Sequence, residues 1–358
     1  MRRLAPTEIP IDTKLRTTYP TLIPFPLSSR CRQALCLPGV VFLFLCSFHD
    51  VRNLLLRIVF GIALAAPLAG CVSPFHAASG SAFDRFENAH VFLPSRYPEG
   101  DWSAAGAKFE DAWFTADDGT RLNGWYCAHE KPVAAILIAH GNAGNVTQYA
   151  DMLQVLHDRH QASILVFDYR GYGKSEGKPD EAGILEDARA ARRWLARREK
   201  IAESDVVLVG QSLGGGVMVD LAASDNARGL VLTSSFTSLP DAAAHHLPLV
   251  PTRLLMHNRL DSGAKIGKYH GPLLQMHGDK DRTIPIALGK RLFDAANEPK
   301  RFVVHPGGNH NDVWPEIYHR ALEKFLTSLP PVHPQSESPR WHRTRVEGDS
   351  GRTSAASG

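Results

Sequence analysis

A serine, an aspartate and a histidine occur along this chain in the order that accompanies a G-x-S-x-G motif. Residues 210–214 read GQSLG, a G-x-S-x-G motif that places its serine, Ser212, on a sharp turn from a strand into a helix. A serine hydroxyl is a poor nucleophile at neutral pH, so it needs a neighbouring base and an acid that orients that base. Such a set of residues performs acyl transfer, in which the serine is transiently acylated.

Two loops further along the chain could supply the acid and the base. Each follows a short apolar strand, and they read HGDKDRTIP at 277–285 and PGGNHND at 306–312. After a G-x-S-x-G serine the acid and then the histidine are expected in chain order, each in a loop behind a strand. We therefore expect Asp281 to be the acid and His310 the base. Three neighbouring residues remain open as alternatives: Asp279 as the acid, and Asp312 and His305.

An acyl-transfer site also needs two N–H donors for the oxygen that becomes negatively charged in the tetrahedral intermediate. The backbone N–H of Leu213, directly after the serine, is the first. The loop at 140–145, HGNAGN, follows an apolar strand, and its glycines leave the backbone accessible, so we expect the N–H of Asn142 to be the second. Alone, this loop equally fits an ordinary glycine-rich turn. Together with the other residues, it predicts an oxyanion hole.

The segments that must position these residues alternate between apolar strands and helical patterns, which predicts a doubly wound, mostly parallel sheet led by an antiparallel hairpin. The hairpin turn is the DDGT sequence at 117–120, and Asp180 is the expected N-cap of the second helix. Functional residues collect at the carboxyl ends of parallel strands, where the loops described above fall. The predicted strands are 113–116, 122–128, 133–139, 163–168, 206–209, 229–233, 272–276 and 301–305; the predicted helices are 146–159, 180–198, 213–223, 286–296 and 315–328.

Composition excludes several other classes of protein. The chain of 358 residues has 40 Lys and Arg against 37 Asp and Glu, and the net charge of +3 gives no electrostatic reason to expect nucleic acid as a partner. An apolar share of 44% rules out wholesale disorder. The five cysteines form no C-x-x-C pair and there is no H-E-x-x-H motif, so we expect neither a metal nor another cofactor.

The segment before the predicted enzyme has the pattern of an export signal. A short basic stretch at 51–57 is followed by 12 mostly apolar residues at 58–69, too few to span a membrane but typical of a signal-peptide core. The sequence LAGC at 68–71 resembles the bacterial lipobox, in which the cysteine receives a diacylglyceryl group and becomes the new N-terminus. This resemblance implies a signal peptide at 51–70 and lipidation of Cys71.

Export signals stand at the start of a protein, which here would be fifty residues into the chain. We therefore expect translation to begin at or near Val51, and residues 1–50 to be an upstream segment wrongly included in the protein. On this interpretation a linker at 71–84 leads into a folded domain at 85–329. The last stretch, 330–358, is rich in Pro, Ser, His, Arg and Gly and cannot bury enough surface to become ordered.

Together these motifs resemble the α/β-hydrolase superfamily over about 110–328, most closely its membrane-associated serine hydrolases, which include abhydrolase-domain lysophospholipid lipases and protein depalmitoylases. The resemblance is carried by HGNAGN at 140–145, DYRGYGKSEG at 168–177, the serine motif, and the acid and histidine loops. It implies an eight-stranded α/β-hydrolase sheet with a short cap at 237–271. It also implies a structural role for the 168–177 loop, with Arg170 paired internally.

The cap segment contains three prolines and divides into short pieces, so we expect it to be small and Ser212 to be accessible. Its apolar residues could form a surface for an acyl chain or belong to the hydrophobic core, and the core is the favoured interpretation. These residues are Leu247, Leu249, Val250, Leu254, Leu255 and Met256.

The function expected from the sequence is hydrolysis of small acyl or acyl-lipid esters or thioesters by a serine hydrolase anchored to the membrane through Cys71. Val72 follows the predicted lipidation site in place of an aspartate, which by resemblance to known sorting rules favours the outer membrane, facing the periplasm. Two alternatives stay open. A serine peptidase would need carboxylates in the cap to bind a peptide amine, and only Asp241 and Asp261 are available. A non-catalytic envelope binding protein would be expected to have lost part of the triad.

Overall fold

A computed structural model describes residues 82–103 and 109–332 of this chain. The predicted upstream segment, the signal peptide and Cys71 lie outside the described residues, as do most of the predicted linker and most of the predicted C-terminal tail. Among the described residues, no helix is both long and apolar enough to cross a membrane.

Eight strands form one sheet in the order β10-β9-β8-β7-β4-β6-β3-β2. The six strands from β10 to β6 are parallel, and β3 and β2 add an antiparallel edge. This arrangement confirms the predicted fold class. The strands are β2 Glu110–Thr115, β3 Arg121–Cys127, β4 Ala134–Ala139, β6 Ala162–Phe167, β7 Val207–Gln211, β8 Gly229–Thr233, β9 Leu273–Gly278 and β10 Lys300–His305; β1 Leu93–Pro94 and β5 Ala143–Gly144 form a separate two-stranded pair.

Helices cover both faces of the sheet. One buried apolar cluster contains side chains of α3, α4 and α8, and a second on the opposite face contains side chains of α2 and α9. The central strands β4 and β6 are buried along their whole length, which explains why their sequences are continuously apolar. The helices are α1 Ala82–Val91, α2 Ala150–Asp158, α3 Glu181–Glu199, α4 Leu213–Asp225, α5 Leu239–His246, α6 Thr252–Leu255, α7 Ser262–Lys265, α8 Ile286–Asp294 and α9 Glu316–Ser328.

Local hydrogen bonds explain where these elements begin and turn. Asp180 caps α3 as predicted, because its carboxylate accepts the N–H of Gly183 at 2.7 Å. In the hairpin between β2 and β3, Gly119 has a φ of +88° and donates its N–H to the carbonyl of Ala116. The predicted turn is therefore present, and glycine supplies its left-handed position at no steric cost.

The cap consists of α5, α6, α7 and a short 3-10 turn at Ile266–Lys268. Its Ala242, Leu260, Ile266 and Tyr269 belong to the core, but the six apolar residues singled out above do not. Leu249 is 96% and Leu254 85% exposed, Leu255 is exposed as well, and Leu247, Val250 and Met256 are half-buried. The favoured interpretation of these residues was therefore wrong. Prolines at 248 and 251 hold this part of the chain in tight turns, so these leucines project outward and cannot collapse onto the sheet.

Candidate active site

Ser212 lies in a strained turn between β7 and α4. Its φ of +52° and ψ of −116° are unfavourable for any residue with a side chain, and such strain is typical of functional sites. The turn is held by tight packing, because a Cβ on Gly214 would lie 2.1 Å from the carbonyl oxygen of Ala139 in β4. The Ser212 N–H also donates to the carbonyl of Thr233 in β8, at 3.0 Å. The turn therefore fixes the serine at the carboxyl edge of the sheet.

His310 and Asp281 meet at the same edge, on the loops that follow β10 and β9. The Nδ1 of His310 donates to Oδ2 of Asp281 at 2.7 Å, and both side chains are almost fully buried. The other carboxylate oxygen, Oδ1, accepts the backbone N–H groups of Thr283 and Ile284 at 2.9 and 2.8 Å. This carboxylate is thereby held in one orientation and can in turn fix the ring of His310.

The charge of Asp281 is stabilised by its surroundings. Burial alone would raise the pKa of this carboxyl, but hydrogen bonds from His277 and His310 outweigh that effect and hold the pKa well below its usual range. Asp281 is consequently ionised at neutral pH, and an ionised acceptor keeps the Nδ1 of His310 protonated. The Nε2 of that ring is then free to accept a proton.

None of the three alternative residues joins this pair. Asp279 accepts the N–H of Gly307 at 2.7 Å, Asp312 accepts the N–H of Asn309 at 2.7 Å, and the ring of His305 packs edge-on against that of Tyr318. Both carboxylates therefore stabilise turns of the loops that carry Asp281 and His310.

Ser212 and His310 line the same cleft, which has a volume of about 570 Å³. Among the described residues the Ser212 hydroxyl has no hydrogen-bond partner, and the only carboxylate or hydroxyl partner of the His310 ring is Asp281. Catalytic hydrogen bonds commonly tighten only when substrate binds. The structure thus places Ser212 and His310 on one cleft, with no hydrogen bond between them.

The two predicted oxyanion donors face the same region. Asn142 lines the cleft, and a Cβ placed on neighbouring Gly141 would lie 4.0 Å from the Cβ of Ser212. In the described part of the chain, the backbone N–H groups of Asn142 and Leu213 have no acceptor. The carbonyl of Asn142 accepts a hydrogen bond from the hydroxyl of Tyr172 at 2.7 Å, and this bond keeps the loop in place.

Comparisons with known proteins agree with this architecture. Residues 134–256 match the family model described as the alpha/beta hydrolase fold. The uncharacterized protein Rv2307c of Mycobacterium tuberculosis is 38% identical over 244 residues, which cover 66% of this chain and 86% of that protein. The alpha/beta hydrolase domain-containing protein WAV2 of Arabidopsis thaliana is 30% identical over 255 residues, which cover 65% of this chain and 83% of that protein. The chain belongs to the α/β-hydrolase superfamily.

Solved structures show the same fold for this hydrolase at low sequence identity. The Pyrococcus furiosus esterase Pf2001 superposes with a TM-score of 0.56 at 19% identity, covering 67% of this chain and 98% of that one. The α/β hydrolase GrgF of a Penicillium species superposes with a TM-score of 0.51 at 18% identity, covering 61% and 96%.

Two buried residues of the hydrolase support the oxyanion loop and were missed by sequence reasoning. The Nε2 of His140 lies 3.5 Å from Oδ1 of Asp168, and the same oxygen accepts the N–H of Val146 at 2.9 Å. Burial raises the pKa of Asp168, while its hydrogen bond with His140 acts in the opposite direction. Asp168 thus joins both ends of the HGNAGN loop to the end of β6. The signal was the aspartate that opens the DYRGYG segment.

His277 is a further supporting residue that sequence reasoning passed over. Its Nε2 donates to the carbonyl of Ile284 at 2.8 Å and lies 3.4 Å from Oδ2 of Asp281. The side chain is completely buried under the acid loop. The predicted internal pairing of Arg170 is confirmed, since its guanidinium binds Asp187 and Asp118, each at 2.7 Å.

The walls of the cleft do not come from the cap. No residue of 237–271 lines it, so the cap leucines form no acyl-chain surface inside the site. Apolar side chains of α2 and of the segment after His310 line it instead: Met152, Val155, Val313 and Trp314. The hydroxyl of Tyr149 donates to the side chain of Gln211 at 2.8 Å and closes the inner end of this wall.

Proposed function

We propose that this hydrolase cleaves carboxylic esters or thioesters through an acyl-enzyme intermediate formed on Ser212. The observation that carries the proposal is the 2.7 Å bond between His310 and ionised Asp281 on the cleft that the strained Ser212 also lines. A correctly oriented imidazole and a serine held in a strained turn are what nucleophilic catalysis needs.

In the proposed reaction the Ser212 oxygen attacks the substrate carbonyl carbon while the Nε2 of His310 accepts the hydroxyl proton. The carbonyl oxygen becomes negatively charged and is stabilised by the N–H groups of Asn142 and Leu213. His310 then donates its proton to the leaving alcohol or thiol, and the acyl group stays on the serine. Water, deprotonated by His310, attacks this acyl-enzyme, and the serine leaves with the proton restored.

The cleft favours an apolar acyl group. Met152, Val155, Val313 and Trp314 offer a hydrophobic wall beside the serine, and Val313 is 90% exposed at its outer end. A wall that opens outward suits an acyl chain that continues into a larger molecule, as in an acyl lipid. We expect hydrolysis to increase with acyl length until the chain extends past Val313.

Two observations disfavour the peptidase alternative. Asp241 is already engaged by Arg253 at 2.6 Å and Arg291 at 3.6 Å, and Asp261 caps α7 by accepting the N–H of Ala264 at 3.1 Å. Neither carboxylate lines the cleft, so neither is available to a peptide amine there.

The proposal includes membrane attachment through a diacylglyceryl group on Cys71, in the bacterial envelope and with the enzyme facing the periplasm. It is supported by the sequence alone, through the basic stretch, the short apolar segment and the LAGC motif. Intact mass of the purified protein tests it. We expect an N-terminus at Cys71 with the added mass of the lipid, and an unmodified Cys71 or a mature chain containing residues 1–50 would contradict it.

Labelling with a fluorophosphonate, followed by peptide mapping, tests the serine. We expect an adduct on Ser212 and none in Ser212→Ala, and turnover of p-nitrophenyl esters should fall by about 10³-fold or more in that variant. Ser234, which also has a positive φ at the end of a strand, is a matched control, and Ser234→Ala should keep its adduct and activity. Labelling at another serine would refute the assignment. A hydrolysis profile across acyl lengths, with esters against thioesters, would then define the substrate.

A further inference from the structure

The cap carries an apolar surface that the catalytic cleft does not use. We call Leu249, Leu254 and Leu255 the cap surface; Leu249 is 96%, Leu254 85% and Leu255 41% exposed. Single exposed leucines are ordinary in folded proteins, but three within seven residues form a concentrated apolar patch, which marks an interaction site.

The backbone beneath the cap surface is firmly held. The hydroxyl of buried Thr252 donates to the carbonyl of Pro240 at 2.8 Å, and Arg259 donates to the carbonyl of Arg253 at 2.7 Å. The first two residues of α6 are fixed in this way, and Leu254 and Leu255 follow them as exposed residues. Their exposure is built into the fold.

The cap segment itself carries more basic than acidic side chains, although Asp84, Glu87 and Glu181 approach it from other helices. Residues 237–271 contain four Lys and Arg, two Asp and four His. Both aspartates are engaged, Asp241 with two arginines and Asp261 at the start of α7. Arg253, which pairs with Asp241, and Arg259, which binds the carbonyl of Arg253, are both exposed beside the leucines and keep further N–H groups for a ligand. Apolar side chains surrounded by basic ones are the pattern of a surface that lies on an anionic bilayer.

The chain enters the domain beside this surface. The carboxylate of Glu87 in α1 accepts the backbone N–H groups of His257 and Asn258 at 2.9 and 2.8 Å, and Asp84 pairs with the ring of His257. His257 is two residues from Leu255. Ten residues separate Cys71 from α1, and ten residues reach at most about 35 Å when extended. A lipid on Cys71 would therefore tether the domain by the side that carries the cap surface.

The cap surface also lies next to the mouth of the cleft. His246, the last residue of α5, donates its Nε2 to the carbonyl of Thr283 at 2.8 Å, and Thr283 lines the cleft. A bilayer in contact with Leu249 and Leu254 would thus be adjacent to the opening that leads to Ser212.

We infer that the cap surface docks on an anionic phospholipid bilayer, inserting Leu249 and Leu254 between the headgroups while Arg253 and Arg259 contact their phosphates. This inference rests on the proposed lipid attachment for its geometry. The docking presents the cleft to acyl lipids of the same membrane, so the substrates would be reached without leaving the bilayer.

Tryptophan quenching in vesicles tests the docking directly. The full chain and its Leu254→Trp variant are reconstituted into vesicles of phosphatidylcholine and phosphatidylglycerol, with and without bromine on the acyl chains. We expect the additional fluorescence of Leu254→Trp to be quenched several-fold by the brominated lipids. Val133→Trp is the control, because Val133 is exposed just before β4, at the amino ends of the parallel strands and so away from the cleft, and its additional fluorescence should be unaffected.

A second variant separates docking from catalysis. Leu249→Asp combined with Leu254→Asp should leave hydrolysis of a dissolved p-nitrophenyl ester unchanged and lower hydrolysis of an ester embedded in the vesicles several-fold. Absence of quenching in Leu254→Trp, or equal quenching in Val133→Trp, would overturn the docking. Intact mass at Cys71 and fluorophosphonate labelling of Ser212 are read on the same samples, so failure of the anchor or of the serine mechanism is recognised separately.

Discussion

The serine turn and the cap are two short segments that each follow a strand of the same sheet, but their surroundings differ in kind. The turn at Ser212 is surrounded by backbone: β4 approaches Gly214, β8 accepts the serine N–H, and every residue of α4 from Leu213 to Ala222 is buried. The cap buries Leu260, Ile266 and Tyr269 but leaves Leu249, Leu254 and Leu255 in solvent. The close packing restricts the backbone geometry of the serine turn. In the cap, the exposed side chains can change without altering the backbone that carries them.

This difference separates the two proposed roles of the molecule. Chemistry depends on positions correct to a fraction of an ångström, so the catalytic loops are built from buried hydrogen bonds and close glycine contacts. Recognition of a membrane or a substrate depends on the surface presented, so the cap can vary without disturbing the sheet. The contrast predicts that substitutions at the serine turn and its partner loops change turnover or the free energy of unfolding strongly, and that substitutions of exposed cap residues change them little.

The largest expected effect is on catalysis at the acid and the base. His310→Ala and Asp281→Asn should each lower turnover of a soluble ester by about 10⁴-fold, because the serine loses its base or the base loses its orientation. Asp279→Asn is the matched control, two residues away on the same loop, and should stay close to the wild-type rate. Steady-state kinetics checks all three. If Asp279→Asn were inactive and Asp281→Asn active, the acid would have to be reassigned to Asp279.

Glycine-to-alanine substitutions test whether the serine turn is packed more tightly than the cap. A Cβ on Gly214 would lie 2.1 Å from a backbone oxygen, so Gly214→Ala should lower the free energy of unfolding by about 1–3 kcal/mol or more. A Cβ on Gly263 in α7 of the cap would meet Thr237 at 3.5 Å, an ordinary contact. Gly263→Ala should therefore be neutral or slightly stabilising, by up to about 1 kcal/mol. Urea denaturation measures both, and equal losses would remove the distinction between the two segments.

Acid titration compares one carboxylate from each region. Burial raises the pKa of both Asp281 and Asp241, but hydrogen bonds and ion pairs more than offset it, so both have lowered pKa values in the folded protein. A lowered pKa contributes stability that is complete above the unfolded value of about 4 and disappears as pH falls through the folded value. Asp281→Asn should cost roughly 1–3 kcal/mol at neutral pH, and this difference from wild type should shrink in acid.

Asp241→Asn should show the same trend with a smaller amplitude, because its partner Arg253 is 67% exposed and solvent screens that pair. The measurement is the free energy of unfolding against pH for both variants and the wild type. A difference for Asp281→Asn that grew as the pH fell would mean that its carboxylate is not stabilised in the folded state.

The fold and the catalytic loops could be predicted because the relevant signals are local. Apolar runs of strand length, the DDGT turn, the Asp180 cap and the G-x-S-x-G motif each specify a backbone geometry within a few residues, and the structure confirms the corresponding elements. The order of serine, aspartate and histidine then follows from the order of the strands. That order does not distinguish Asp281 from Asp279, which stand on the same loop; the hydrogen bond from His310 to Asp281 does.

The features that could not be predicted from the sequence depend on contacts between segments that are far apart along the chain. The support of the oxyanion loop by Asp168 and of the acid loop by His277 requires knowing which strand ends are neighbours. The pairing of α1 with the cap joins residues about 170 positions apart, Asn258 with Glu87 and Asn88. The exposure of the cap leucines could not be predicted either, since a leucine in an irregular segment has no periodicity that distinguishes a buried side from an exposed one.

The smallest expected effect on the free energy of unfolding is at the cap surface. A small effect there is informative because it would show that the exposed leucines do not stabilise the fold. Leu249→Ser removes an apolar side chain that touches little in the folded protein, so the free energy of unfolding should change by less than about 0.5 kcal/mol. Leu232→Ala in β8, where the side chain is fully buried, should cost about 2–5 kcal/mol. Thermal and urea unfolding of both variants provides the comparison. A loss of more than 2 kcal/mol in Leu249→Ser would mean that this leucine packs against part of the molecule. If the free energy of unfolding were unchanged, Leu249 would have no role in stability, which would favour contact with an outside partner.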